Sequence, residues 1–352
     1  MSLTALPSDC LLACLARVPY ADLRNSLPST CKSLCDAVTS AVFRKTRETA
    51  GWTEWAVFAS QYGPSSCCFI TASGAHRAAR RPNINSEHVM RVSLWSGGDE
   101  VVVIECGSFD LAGATMRACS FDPRRNRWRE ISPFINPVIY AISQYDVAIG
   151  ALGSSIMVLG GNNSKRAFGA YDCSQDTWSW QAPLPFDSSY SQLVEVGGRL
   201  WCYASDDHLQ ETFVYDPETR SWTSGPRLPF DGLYDEDGRG CHWHTNAVEL
   251  QGKFCIMGFF GIDYRAFVWD PTSESWDALF PVPPVVAFES SHIDGHLIVC
   301  GNHPSGQGPL FDSGDLPAGL FVLSPGGMGW VEWRLPSGFQ DPGLRVAAVR
   351  LG

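Results

Sequence analysis

The sequence predicts a short all-α segment followed by a large all-β ring of repeated four-stranded units. Three observations predict it. The 352-residue chain carries 13 Trp and 33 Gly, and such chains with regular punctuation form repeated β-units. From about residue 52 onward, an aromatic–Asp pair followed by a Trp recurs at nearly even spacing. The first 50 residues lack that pattern and instead place apolar residues at helical spacing.

The N-terminal segment divides into three helices. Ser8 or Asp9 caps the first, which runs through Leu11, Leu12 and Leu15 and ends at Val18-Pro19. Leu11 and Leu15, four apart, share a face. Ala21 to Leu27 forms a second short helix stopped by Pro28. Ser29 or Thr30 caps a third, with Cys31, Leu34, Cys35 and Val38 on one stripe. Three helices this short bury little surface by themselves, so the segment calls for a partner. It also differs in charge, about +2 against −13 for the remainder of a chain whose net charge is −11.

The spelling Leu6-Pro7-Ser8-Asp9, then an apolar helix, then Cys14-Leu15-Ala16-Arg17-Val18-Pro19, resembles an F-box. Cys31-Lys32-Ser33 matches that family's third-helix start, and Phe43 with Arg47 matches its exit. The resemblance is to the F-boxes that precede kelch repeats in plant-type proteins. It implies docking on a Skp-type adaptor through Leu6, Pro7, Leu11, Leu12, Leu15, Val18, Pro19, Leu23 and Cys31.

The repeats are Phe121-Asp122-Pro123 to Trp128, Tyr171-Asp172 to Trp178, Tyr215-Asp216-Pro217 to Trp222, and Trp269-Asp270-Pro271 to Trp276. Their Asp residues lie 50, 44 and 54 positions apart. A weaker copy ends at Phe321 and Trp330 or Trp333. Asp-Pro supplies a turn between strands, and Trp gives each sheet a broad face to bury. The period and the aromatic, Asp and Trp positions resemble kelch repeats, which implies a β-propeller. The diglycine of the family is complete only at Gly160-Gly161. Five blades can be named in the stretch from residue 89 to residue 334, each with strands A to D from the axis outward. Trp55–Gln61 and Cys67–Ala72 are then strands B and C of a degenerate first blade. Its strand A comes from the C-terminus, Arg345–Arg350, which closes the ring and removes its open edge. The count is six, with five and seven left open by the weakness of blade one. The organisation is an F-box over residues 1–50 and a propeller over 52–352.

Strand order fixes two rims. The chain enters blade one at a B strand, so the B–C and D–A loops point away from the F-box, where a bound protein would be held. On that rim the sequence from 205 to 237 carries nine acids and two Arg, a net charge of −7. It includes Asp206, Asp207 and His208, then Tyr234, Asp235, Glu236 and Asp237, with Arg239 just beyond. Such a patch favours a basic protein segment. Tyr140, Tyr190 and Tyr264 combine apolar area with a hydroxyl and suit the same surface, and Asn162, Asn163 and Arg166 add a polar cluster after the diglycine.

Other chemistries fare worse. The acidic balance argues against nucleic acid, and no apolar run approaches the ~18 residues of a membrane span. Thirteen Cys, an odd number, read as reduced and mostly buried, which fits a cytoplasmic or nuclear protein. Cys10/Cys14 and Cys31/Cys35 have ligand-like spacing but occupy apolar helix positions. Cys241-His242-Trp243-His244 lies near Asp235 and Asp237, yet His-x-His alternates across a strand. The Glu-x-x-x-Asp-x-x-x-His iron spacing of some kelch proteins is absent, as are a P-loop, a Gly-x-Gly-x-x-Gly turn and a Gly-x-Ser-x-Gly elbow. No catalytic residue, metal or cofactor is expected. The resemblance implies a substrate receptor of a Skp–cullin–F-box ubiquitin ligase, joined through its adaptor to cullin and RING subunits. The alternatives are a kelch scaffold without ligase function and a metal-dependent propeller enzyme.

Overall fold

A computed structural model describes residues 7–19, 22–23, 31–51, 54–60, 67–71, 74–77, 89–96, 101–107, 116–123, 127–132, 148–160, 167–186, 188, 190–205, 209–229, 245–260, 263–278, 286–302, 318–325, 329–336, 339 and 345–350. Among the described residues, helices α1 (Ser8–Leu15), α2 (Lys32–Val38) and α3 (Ala41–Thr49) precede 24 strands. Of the expected second helix, Asp22 and Leu23 are helical and the other residues lie outside the described ones. The next helix starts later than expected. Cys31 takes its N-cap position with extended backbone and no side-chain cap bond. Helix α3 was not anticipated as an element of its own; Ser40 caps it by accepting the Phe43 amide at 3.1 Å.

The strands form six four-stranded antiparallel sheets. Sheet one joins β24 (Arg345–Arg350), β1 (Trp55–Ser60), β2 (Cys67–Thr71) and β3 (Gly74–Arg77) in that order. The C-terminal strand is therefore the inner strand of the first blade, paired with β1 from Trp55↔Arg350 to Ser60↔Arg345. The inner strands of the other blades are β4 (Val89–Ser96), β8 (Ala148–Leu152), β12 (Tyr190–Val196), β16 (Asn246–Leu250) and β20 (Val286–Ile293). Each inner strand contacts the next in chain order, from β4 through β20 to β24, and β24 contacts β4, so the ring closes as a six-bladed propeller.

Both faces of each blade are buried, because alternate side chains point to opposite neighbours. Val101 and Val103 pack with Phe58 and Phe69 of blade one, whereas Val102 between them packs with Ile156 and Tyr171 of blade three. Likewise Leu193 faces blade three and Val194 blade five. Six apolar clusters result, one at each seam.

The repeated motif does two jobs. Its Asp caps the C–D turn. Asp172 Oδ1 accepts the amides of Ser174 and Gln175, Asp216 Oδ1 that of Glu218, and Asp270 Oδ1 that of Thr272. The Ser174 hydroxyl, with the Ser174 and Gln175 amides, holds Asp172 below the usual carboxylate range. Its Trp ties the blade to the previous one: the indole N–H of Trp178 donates to Ser132 O at 2.8 Å, Trp222 to Ala182 O at 2.9 Å and Trp276 to Arg227 O at 2.7 Å. The residue two before each Trp is left-handed, with φ of 52° at Asp176, 52° at Arg220 and 50° at Glu274.

Candidate functional site

The helices bury Leu15, Ala16, Leu23, Leu34 and Phe43 together. Leu11, Leu12, Val18, Cys31 and Val38 pack against that cluster while only partly covered. Leu15 and Leu23, expected in the docking set, thus lie inside and shape the surface from behind. Leu11, Leu12, Val18 and Cys31 are half-buried, and Pro7 and Pro19 are exposed. Leu6 lies outside the described residues. Pro7 begins the face: its carbonyl accepts the Leu11 amide at 2.9 Å and so fixes the start of α1. Val42, exposed in the first turn of α3, adds apolar surface. The Cys31 thiol lies 3.1 Å from the Ser33 hydroxyl, and this hydrogen bond, with the Leu34 and Ser33 amides, draws its pKa down. Cys10 and Cys14 are exposed and Cys35 half-buried. Among the described residues no group of three or more His, Cys, Asp or Glu is arranged to hold a metal ion.

One charged side chain is sealed in this segment. Arg47 of α3 is 0% exposed. It donates to the Val18 carbonyl at 2.7 Å and to Glu54 Oε1 at 2.9 Å, with its guanidinium 5.9 Å from the Phe43 ring centre. Its sequence signals were the match of Phe43 and Arg47 to the F-box exit and their spacing of four, which puts both on one helical face.

At the rim formed by the B–C and D–A connections, Tyr140, Asn162, Asn163, Arg166, Asp206, Asp207, His208, Tyr234, Asp235, Glu236, Asp237 and Arg239 lie outside the described residues. Tyr264 falls in β18 (Asp263–Asp270), and only its backbone is described. Tyr190 opens β12. Its hydroxyl donates to Thr245 O at 3.1 Å and accepts from Gln192 Nε2 at 2.6 Å, and its ring meets Tyr203 edge-on. Gln192 continues the link across the seam to Asn246 Oδ1 at 2.9 Å and to the Ala247 amide. Ser188, Ser191, Ser205, Thr212, Thr245 and Asn246, all buried, gather at this end of blades four and five. Burial raises the Tyr203 pKa. Sequence reasoning missed this polar seam, although Gln192 and Asn246 stand out as the amide side chains of their inner strands.

The opposite end of the axis holds a cavity of about 450 Å³, lined in part by Gly150, Leu193, Glu195, Glu249, Ser291 and His292. His292 Nε2 lies 3.1 Å from Glu249 Oε2, and Glu195 accepts the Gly153 amide at 3.0 Å. Burial lowers the His292 pKa, against the pull of Glu249 and Glu195.

Residues 3–46 match the F-box domain model. The chain is 24% identical over 171 residues to Kelch-like protein 25 of Xenopus tropicalis, which is 46% of this chain and 26% of that protein. It is 24% identical over 191 residues to human Kelch repeat and BTB domain-containing protein 12, covering 45% of this chain and 29% of that protein. The chain therefore matches less than a third of the length of these curated relatives. The crystal structure of TolB from Acinetobacter baumannii superimposes with a TM-score of 0.54 at 11% identity, over 90% of this chain and 73% of that one, a likeness of fold alone. An F-box followed by a six-bladed propeller with kelch homology defines the class. In these two parts the chain is similar to F-box/kelch proteins.

Proposed function

We propose that this chain is the substrate-receptor subunit of a Skp–cullin–F-box ubiquitin ligase, working in the cytoplasm or nucleus. The observation that carries the reading is the helical cluster within the F-box match, whose apolar residues Leu11, Leu12, Val18 and Cys31 stay partly uncovered. A cluster this small is completed by the surface it docks on, and an F-box implies that this surface is a Skp-type adaptor. Cullin and RING subunits join through the adaptor. The propeller's B–C and D–A rim, acidic in sequence around blades four and five, takes a protein substrate with a basic segment. The chain adds no catalytic group. It contributes proximity, raising the effective concentration of a substrate lysine near the charged conjugating enzyme.

The test is binding of purified Skp-type adaptor to the full chain and to Leu11→Asp/Leu12→Asp, with circular dichroism as the folding control. Both positions are partly uncovered, so the variant changes the face more than the interior. The wild type is expected to bind and the folded variant to lose binding. A wild type that does not bind the adaptor overturns the ligase reading and leaves a kelch scaffold.

A further inference from the structure

A substrate receptor works only if its adaptor-binding and substrate-binding parts keep a fixed relation, because effective concentration collapses when the span wanders. A continuous set of contacts runs from one part to the other. Arg47 is sealed from solvent in α3. One arm of its guanidinium holds the carbonyl of Val18, just past α1; the other holds Glu54, the residue before β1. Trp55, next in the chain, is clamped in the ring. It stacks on Trp333 with centroids 5.0 Å apart and meets His296 at 4.8 Å, both from blade six, while its backbone pairs with Arg350. The planar, always charged guanidinium suits such a two-ended hold, since its donors diverge in one rigid plane.

We infer that Arg47 and Glu54 form a joint that fixes the helical cluster against blades one and six, making them positioning residues for ubiquitin transfer; this rests on the receptor reading above. Val18 ties the joint to the adaptor-facing helix, and Trp55 ties it to the ring. Breaking it at Glu54 frees the orientation while Arg47 keeps its bond to Val18, so the cluster stays folded.

The experiment places a donor and an acceptor dye at Lys45 and Thr272 of the full chain, both exposed, by genetic-code expansion. Single-molecule energy transfer then reads the distribution of distances. The wild type is expected to give one narrow distribution and Glu54→Ala a broad one. Glu54→Gln keeps an oxygen acceptor and should restore most of the narrowing, which a merely destabilised chain would not do. An equally narrow Glu54→Ala, or a broad wild type, overturns the joint. Adaptor binding is measured on the same proteins. Glu54→Ala should bind adaptor as the wild type does, so that a broadened distance reports the joint and not a lost adaptor-binding face. Absence of adaptor binding by the wild type defeats the receptor reading and leaves the distance result to judge the joint by itself.

Discussion

The helical segment and the propeller solve the problem of a small core in opposite ways. The helices gather five buried apolar side chains into one cluster and leave a partly covered apolar rim. The propeller spreads its burial over six seams, each built by two blades, and repeats the same Trp tie at three successive seams among the described residues. Stability in a ring of repeats is close to a sum of nearest-neighbour terms, so most single losses stay local. A lone cluster has no neighbour to share a loss. The part of the molecule whose apolar cluster is least covered is thus its helical face, where the receptor reading proposed above puts the adaptor.

The largest effect should come where the ring has no redundancy. Strand β24 is the inner strand of blade one, and Val346, Ala347, Ala348 and Val349 are buried on both of its faces. Ending the chain at residue 344 removes them and opens the ring. The expected loss exceeds about 4 kcal/mol, seen as a lost cooperative transition in urea. A shortened chain that unfolds like the wild type would show that blade one closes without this strand.

Phe43→Ala comes next. Phe43 is buried at the centre of the helical cluster, and such deletions cost about 3–5 kcal/mol. In so small a unit that should melt the helices and abolish adaptor binding, while near-ultraviolet dichroism of the propeller stays intact. Loss of the propeller signal as well would mean that the two regions fold as one.

A milder change probes the repeated tie. Trp222→Phe keeps an aromatic ring but deletes the donor to Ala182 O, so about 1 kcal/mol should be lost. The same substitution at Trp178 or Trp276 should cost a similar amount, since the geometry repeats. Unequal costs would show that the seams are not equivalent.

The pH response separates the regions as well. Folding lowers the pKa of His292 below that of a free imidazole, chiefly through desolvation at the axis, with Glu249 and Glu195 opposing. The unfolded chain then binds the extra proton more readily, so stability is full above pH 6.5 and falls as the pH drops below it. Urea midpoints at pH 7.5 and pH 5.5 should differ, and His292→Gln should shrink the difference. The helical cluster carries no His, so its unfolding should not share this slope. Equal slopes in variant and wild type would assign the effect elsewhere.

What the sequence revealed and what it hid follow from range. The ring was legible because its signals are local and repeated: aromatic, Asp, turn and Trp recur within each blade, and Arg345–Arg350 was the one strand left over for a blade lacking its first. The Asp and the Trp were legible as turn and face; their contacts were not, since Trp222 finds its acceptor 40 residues away. At the helices the motif marked an apolar stripe. Leu15 and Leu23 nevertheless proved to be interior, because a stripe of leucines does not say which members a neighbouring helix covers. Arg47 and the Gln192–Asn246 seam depend on pairings 29 and 54 residues apart, which no local pattern encodes.

The smallest effect tests how closely each blade fits its own turn. Arg220 sits at φ 52° in the C–D turn of blade four, a left-handed position where a Cβ is crowded and where Asn is tolerated better than Arg. Its side chain is exposed, so Arg220→Asn should relieve strain without removing packing and raise stability by about 0.5 kcal/mol. The same gain is expected at Glu274, two residues before Trp276. Asp176 should behave differently despite the same φ. Its carboxylate accepts the Ser132 amide at 3.2 Å, the Ser132 hydroxyl at 2.8 Å and the Tyr171 hydroxyl, so Asp176→Asn should lose stability as those bonds weaken. If all three substitutions stabilise alike, the turn is governed by its backbone alone. If only Asp176 differs, the seam between blades two and three has recruited a strained position for a contact that the next two seams do without.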